Sequence, residues 1–148
     1  LDRLLGALME EGRKLATAHG KRTPLAVKIA PDLADEDIGR MAGLFLKHGV
    51  DAVIATNTTI SRAGVEGLRN GTETGGLSGA PLRVRATEIV KLLSQSLGGR
   101  IPIIGVGGIL SGADAREKIA AGASLVQLYS GLIYRGPELV GEVAAALA

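Results

Sequence analysis

The chain has 148 residues, enough for one domain with a real core, and its 46% hydrophobic and 22% charged residues exclude a disordered chain. Lys+Arg number 17 against 15 Asp+Glu, so the net charge is +2, too small for a nucleic-acid surface, and two Tyr, one Phe and no Trp leave no base-stacking platform. Zero Cys excludes disulfides and thiolate metal sites, and two His leave little for zinc; no metal is expected.

In chain order the first element is a helix over residues 2–19, with Leu4, Leu5, Leu8, Gly12 and Leu15 as its apolar face. Leu25-Ala26-Val27-Lys28-Ile29 reads as a strand. A helix follows over residues 35–48, with Asp35, Glu36 and Asp37 at its positive end and Gly49 as its stop. Ala52-Val53-Ile54-Ala55 is a second strand, followed by a Gly-rich loop over residues 61–80. A third helix starts near Pro81 and stops at Gly98-Gly99. Ile101-Pro102-Ile103-Ile104-Gly105-Val106 is a third strand, and Ser111 is the N-cap of a fourth helix ending at Gly122. Ser124-Leu125-Val126-Gln127-Leu128 is the fourth strand, and a last helix opens after Gly136-Pro137.

Short continuous apolar runs of this kind suit parallel strands buried on both faces. One helix followed by four βα units predicts an α/β fold with right-handed crossovers. An eight-unit barrel needs about 250 residues, so four units make half of one. The chain starts at Leu1 inside a helical pattern and reads as a fragment or processed product. No run reaches the roughly 18 apolar residues of a membrane span.

In such folds ligands bind at the C-terminal strand ends. Lys28 sits inside the first strand, where a buried cation is costly unless paired or solvated. It is either a structural ion pair or a mouth-facing Lys, or else a charge held against an anionic cofactor or substrate. Thr56-Asn57-Thr58-Thr59 ends the second strand, either as turn chemistry or as donors and acceptors for the edge of a planar polar ligand. The loop over residues 61–80 is a lid or a disordered excursion, and its end, Gly75-Gly76-Leu77-Ser78-Gly79, lets backbone approach a ligand. Gly105-Val106-Gly107-Gly108-Ile109 and Tyr129-Ser130-Gly131 end the last two strands. That pairing is the place of barrel phosphate sites, so a phosphate group is the leading ligand. His19 and His48 close helices beside Gly and read as structural, as does Asp51 at a strand start; residues 32–37 read as a solvated helix start. No Ser-His-Asp arrangement is arguable.

Five blocks carry a resemblance: Val27-Lys28-Ile29-Ala30-Pro31-Asp32-Leu33, Ala55-Thr56-Asn57-Thr58-Thr59-Ile60-Ser61-Arg62, Gly75-Gly76-Leu77-Ser78-Gly79-Ala80-Pro81-Leu82, residues 104–109 and residues 127–137. They resemble the quinone-linked (class 2) branch of the dihydroorotate dehydrogenases, over essentially the whole chain but only the C-terminal half of the family's TIM barrel. The resemblance implies one domain over residues 1–148 and FMN-dependent oxidation of dihydroorotate to orotate with a quinone acceptor, in pyrimidine synthesis. It places Lys28, Thr56, Gly79, Gly107, Gly108, Tyr129 and Ser130 at FMN, and Asn57 and Thr58 at the substrate. The family's Ser base falls in the other half, so no catalytic residue is assigned; Ser61 and Ser78 do not match its position. The isolated chain is therefore expected to lack turnover. The alternative is a non-catalytic half-barrel that binds FMN or another phosphate ligand, as a homodimer. The resemblance also implies a parent enzyme peripheral to the inner membrane, with quinone reached through an N-terminal segment that these residues do not include. The partner of the half-barrel is its missing first half or a second copy.

Overall fold

Each of the four β-branched apolar runs forms a strand, and each strand is followed by a helix, in a computed structural model that describes residues 1–148. The elements are α1 (Asp2–His19), β1 (Ala26–Ile29), α2 (Asp35–His48), β2 (Ala52–Ala55), α3 (Arg83–Leu97), β3 (Ile103–Val106), α4 (Gly112–Ala120), β4 (Leu125–Gln127), α5 (Ser130–Arg135) and α6 (Glu138–Leu147), with a single 3₁₀ turn (Ala80–Leu82) leading into α3. The strands form one parallel sheet in the order β1-β2-β3-β4. This is an α/β fold with the arrangement of half a TIM-type barrel.

The core lies between the sheet and its helices. Ile29, Val53, Ala55 and Ile103 point from the strands into a cluster with Ile38 and Phe45 of α2 and Ile89, Val90, Leu93 and Leu97 of α3. Burying each of the larger side chains contributes about 1.5–3 kcal/mol. A second cluster joins Ile109 and Ala115 to Leu139 and Val143 of α6. Helix ends follow the expected signals. Ser111 caps α4, its hydroxyl accepting from the Asp114 N–H at 3.2 Å, and α2 and α3 stop at Gly49 and Gly98.

Three expectations are corrected. The strands are not buried on both faces: only the helix-covered face is closed, and Ala26, Lys28, Leu125 and Gln127 are exposed on the other face. β1 and β4 are edge strands, so an apolar run there marks a face left open. α1 buries only Leu5 of its stripe, while Leu4 and Leu15 are 59% and 51% exposed. It packs on α2 alone, beyond the β1 edge, so nothing covers its other side. Finally, α5 interrupts what reads in sequence as a strand end followed by one helix.

Local polar ties anchor the strand starts and α1. Asp51 accepts from the Leu25 N–H at 2.8 Å and from Arg22 at 2.7 Å, joining β1 to β2, and chiefly the backbone bond holds its carboxyl below the usual range. His48 and Lys47 of α2 both bond Asp2 of α1 and hold its carboxyl down at about 2. His48 is structural, as its helix-end position suggests.

Lys118 of α4 is the one charged side chain fully buried, and burial pushes its ammonium down from 10.5 to about 8. Between those values the unfolded chain binds a proton that the folded chain does not, so folding gains stability as pH rises. We expect the stability difference between wild type and Lys118→Met to be flat from pH 6 to about 8. It then moves in favour of wild type up to about 10.5, as read from urea midpoints at each pH.

Candidate functional site

A cavity of about 290 Å³ opens at the C-terminal ends of the strands. It is lined by all nine residues singled out from the sequence: Lys28, Thr56, Asn57, Thr58, Gly79, Gly107, Gly108, Tyr129 and Ser130. Five separate chain segments therefore converge on one place, as parallel strand order requires.

The wall after β3 and β4 is made of backbone. The N–H groups of Gly107, Gly108, Ser130 and Gly131 donate to no protein acceptor, although Gly108 and Gly131 are buried. Four donors on two adjacent turns at the cavity are thus left without a protein acceptor. Gly108 has φ +69°, and a Cβ there would lie 2.4 Å from the Arg83 Cβ and 2.8 Å from the Arg83 nitrogen. The turn can lie on the first turn of α3 only because no side chain intervenes.

The opposite wall carries side chains. Lys28 faces the open side of the sheet, in register with Ile54 on β2. It is exposed, not buried, and no carboxylate pairs with it, so the structural ion-pair reading falls away. Asn57 is held by its backbone, its N–H donating to Ile29 at 2.8 Å, while its side-chain oxygen accepts from the Thr58 N–H at 2.9 Å. Its amide NH₂ remains free for a ligand. Thr56 is 1% exposed, and its hydroxyl donates to the Asn57 carbonyl at 2.9 Å, so toward the cavity it can act only as an acceptor. Tyr129 is 71% exposed at the cavity rim.

The loop over residues 61–80 is neither a loose excursion nor open. Thr59 and Leu77 pair as an antiparallel bridge at its base, with N–H···O distances of 3.0 and 2.8 Å. Arg62 donates to the carbonyls of Glu73 and Gly75, both at 2.7 Å, and so ties the outgoing and returning strands of the loop together. Gly76 lies against Thr58 so closely that a Cβ would meet its hydroxyl oxygen. Asp32 belongs to this assembly: it bonds the Thr59 hydroxyl and accepts from the Ile60 N–H at 3.2 Å. It is thus a loop anchor, a correction to the reading of residues 32–37 as a merely solvated helix start. No group of His, Asp and Glu is placed to hold a metal ion.

Six further lining residues lie outside those nine: the apolar Leu82, Val106 and Ile109, together with Ser78, Gln127 and Gly131. Ser78 shares a 2.8 Å hydrogen bond with Ser130, closing the loop end onto the start of α5. Gln127 faces the cavity two residues after Leu125 on β4, and its polarity within an apolar run was the available signal. Gly131 was marked in the sequence as part of the Gly-rich end of the fourth strand; what the sequence did not show is that it lies in α5.

A family model described as dihydroorotate dehydrogenase matches residues 4–148. The chain belongs to the dihydroorotate dehydrogenase family. It is 62% identical over 148 residues to the dihydroorotate dehydrogenase (quinone) of Thiobacillus denitrificans, covering all of this chain and 44% of that protein. The dihydroorotate dehydrogenase (quinone) of Chromobacterium violaceum is 64% identical over 148 residues, all of this chain and 43% of that protein. Among solved structures, the chain is similar to DHODH from Eimeria tenella in complex with ferulenol, with TM-score 0.91 and 40% identity over 99% of this chain and 42% of that one. The chain thus spans less than half the length of the relatives it matches. No helix is long and apolar enough to cross a membrane.

Two substitutions test this geometry. Gly108→Ala should cost about 1–3 kcal/mol of stability, read by thermal or urea denaturation, because its backbone conformation and its contact with Arg83 both exclude a Cβ. Asp32→Ala should leave the denaturation midpoint nearly unchanged but speed hydrogen exchange at the Thr59 and Leu77 amides, which close the loop base.

Proposed function

We propose that these residues are the FMN- and substrate-binding C-terminal half of the barrel of a quinone-dependent dihydroorotate dehydrogenase. The observation that carries the reading is the set of four unpartnered N–H groups at Gly107, Gly108, Ser130 and Gly131, in a family of this name. They suit a phosphate dianion, which would accept one hydrogen bond from each and gain from their common polarity. The residues present fit FMN: a phosphate cradle at one side, an unpaired cation and an amide at the other, and a cavity between. Bound there, FMN would supply the two-electron chemistry that links dihydroorotate oxidation to quinone reduction.

The chain's own residues then have distinct tasks. Lys28 places a positive charge beside the ligand ring, favouring an anionic form of it. Asn57 offers an amide and Thr58 a hydroxyl to a planar ring with a carboxylate, which suits dihydroorotate and orotate. Thr56 accepts from the ligand, its own proton being spent on Asn57. Gly79 lets the loop end pass close to the cavity. Neither Ser61 nor Ser78 is a candidate base: Ser61 accepts from the Ala63 N–H, and Ser78 is paired with Ser130. We assign proton abstraction to the part of the barrel these residues do not supply.

That part also explains the open face of the sheet. The edges of β1 and β4 run in the same direction, so a second set of four parallel strands would close the barrel. The first half of the same barrel meets this need. A second copy of this chain would meet it as well, giving a phosphate-binding dimer without turnover. Gel filtration separates the two, since only the second gives a homodimer that buries both edges.

FMN should bind at least about tenfold more tightly than riboflavin, which lacks the phosphate, as measured by quenching of flavin fluorescence. Equal affinity for the two would overturn the cradle assignment. In the full polypeptide, Lys28→Met should retain the flavin spectrum while dihydroorotate-dependent dye reduction falls by about a hundredfold.

A further inference from the structure

Lys118 has no place in the cavity, yet it is the most unusual charge in the molecule. Its side chain is completely buried, where a Met of similar length would fill the same space without the cost of burying an ammonium. What the ammonium adds is a set of bonds in one direction. Nζ donates to the Arg83 carbonyl at 3.0 Å and to the Thr87 hydroxyl, both on the first turns of α3. At its other end the stem lies on β3: a Cβ on Gly105 would come within 3.1 Å of the Lys118 Cβ. One side chain therefore spans from β3 to the start of α3.

The same turn of α3 is the surface on which Gly108 rests. The Arg83 side chain continues the circuit, donating to Asp114 at 3.0 Å and to Glu117 at 2.9 Å. The other oxygen of Asp114 accepts from the Leu110 N–H at 3.0 Å and from the Ser111 hydroxyl at 2.8 Å. The turn after β3 is thus held on one side through Leu110 and Asp114, and pressed on the other against the segment that Lys118 holds.

We propose that Lys118 is a positioning residue for the anion cradle: by fixing the first turn of α3 against β3 it holds the Gly107 and Gly108 N–H groups at the spacing a phosphate requires. This deepens the FMN reading and rests on it. The free N–H groups are useful only if their positions are fixed before the ligand arrives, because a displacement of about 1 Å costs a hydrogen bond most of its strength. The core packing of Ile89 and Leu93 holds α3 on the sheet, and the paired bonds to a carbonyl and a hydroxyl add directional restraint at its first turns.

The test compares FMN with riboflavin in the full polypeptide that carries this chain. Lys118→Met should weaken FMN about tenfold or more and leave riboflavin affinity within about twofold of wild type, since riboflavin makes no use of the cradle. Thr87→Val removes one partner of the ammonium while keeping side-chain shape, and should shift the same ratio in the same direction by a smaller factor. It decides the matter if Lys118→Met does not fold. A merely structural role predicts a lower denaturation midpoint with the FMN-to-riboflavin ratio unchanged, and that result would overturn the proposal. A wild type that does not discriminate FMN from riboflavin would instead remove the phosphate reading itself, and the role of Lys118 with it.

Discussion

Burial of one sheet face under α2 and α3 is the constraint on which everything else in the molecule depends. Phe45, Ile89 and Leu93 fill the space above Val53 and Ile103 and leave the strands no freedom to slide. Because the strands are parallel, fixing them brings all their C-terminal ends to one side. Lys28, Thr56, Gly107 and Tyr129 are far apart in sequence and share a cavity for that reason alone. The uncovered face is the complement of this arrangement. The same alternation that turns Ile29 into the core turns Lys28 away from it.

The site divides into two kinds of chemistry. After β3 and β4 it is built of main-chain donors, whose positions depend on how closely two segments of backbone approach. After β1 and β2 it is built of side chains, one cation and several neutral hydrogen-bonding groups. A ligand with a phosphate at one end and a heteroaromatic ring at the other meets both demands. The loop from Thr59 to Leu77 joins the two halves, since its base touches Asp32 on one side and its end reaches Ser130 on the other.

Much of this was legible in the sequence, and what was not has identifiable causes. Strand and helix positions followed from β-branched runs and helix stops, which act locally. Most of the nine cavity residues lie on or just after strand ends, where fold geometry does the collecting, while Gly79 closes the Gly-rich loop; their assignment to flavin and substrate came from the family resemblance. A mouth-facing Lys28 was one of the readings the sequence left open, but the open face and edge position of its strand were not legible. An apolar run signals a buried strand whether one face or both are covered, and only sheet order shows that β1 is an edge. α1 misled for the same reason, since its stripe of Leu residues records a need for cover that α2 meets only in part. Asp32 and Lys118 escaped because each sits in a stretch of ordinary helix-start or helix-face polarity. Their roles arise from partners at Thr59 and Arg83, 27 and 35 residues away.

The pinned base of the long loop has a consequence for how the chain tolerates damage. Between Arg62 and Gly75 the exposed residues 66–70 form a tip, while Arg62, the Thr59–Leu77 bridge and Asp32 hold both legs below it. A protease nick in that tip would sever the covalent chain without separating the pieces. The nick would divide the β2–α3 unit, leaving β2 on one piece and α3 on the other, but the bridge, the guanidinium clasp and the shared core would hold the two together. The same insulation makes the tip the place where extra residues or a reporter peptide could be spliced in without disturbing the strand ends.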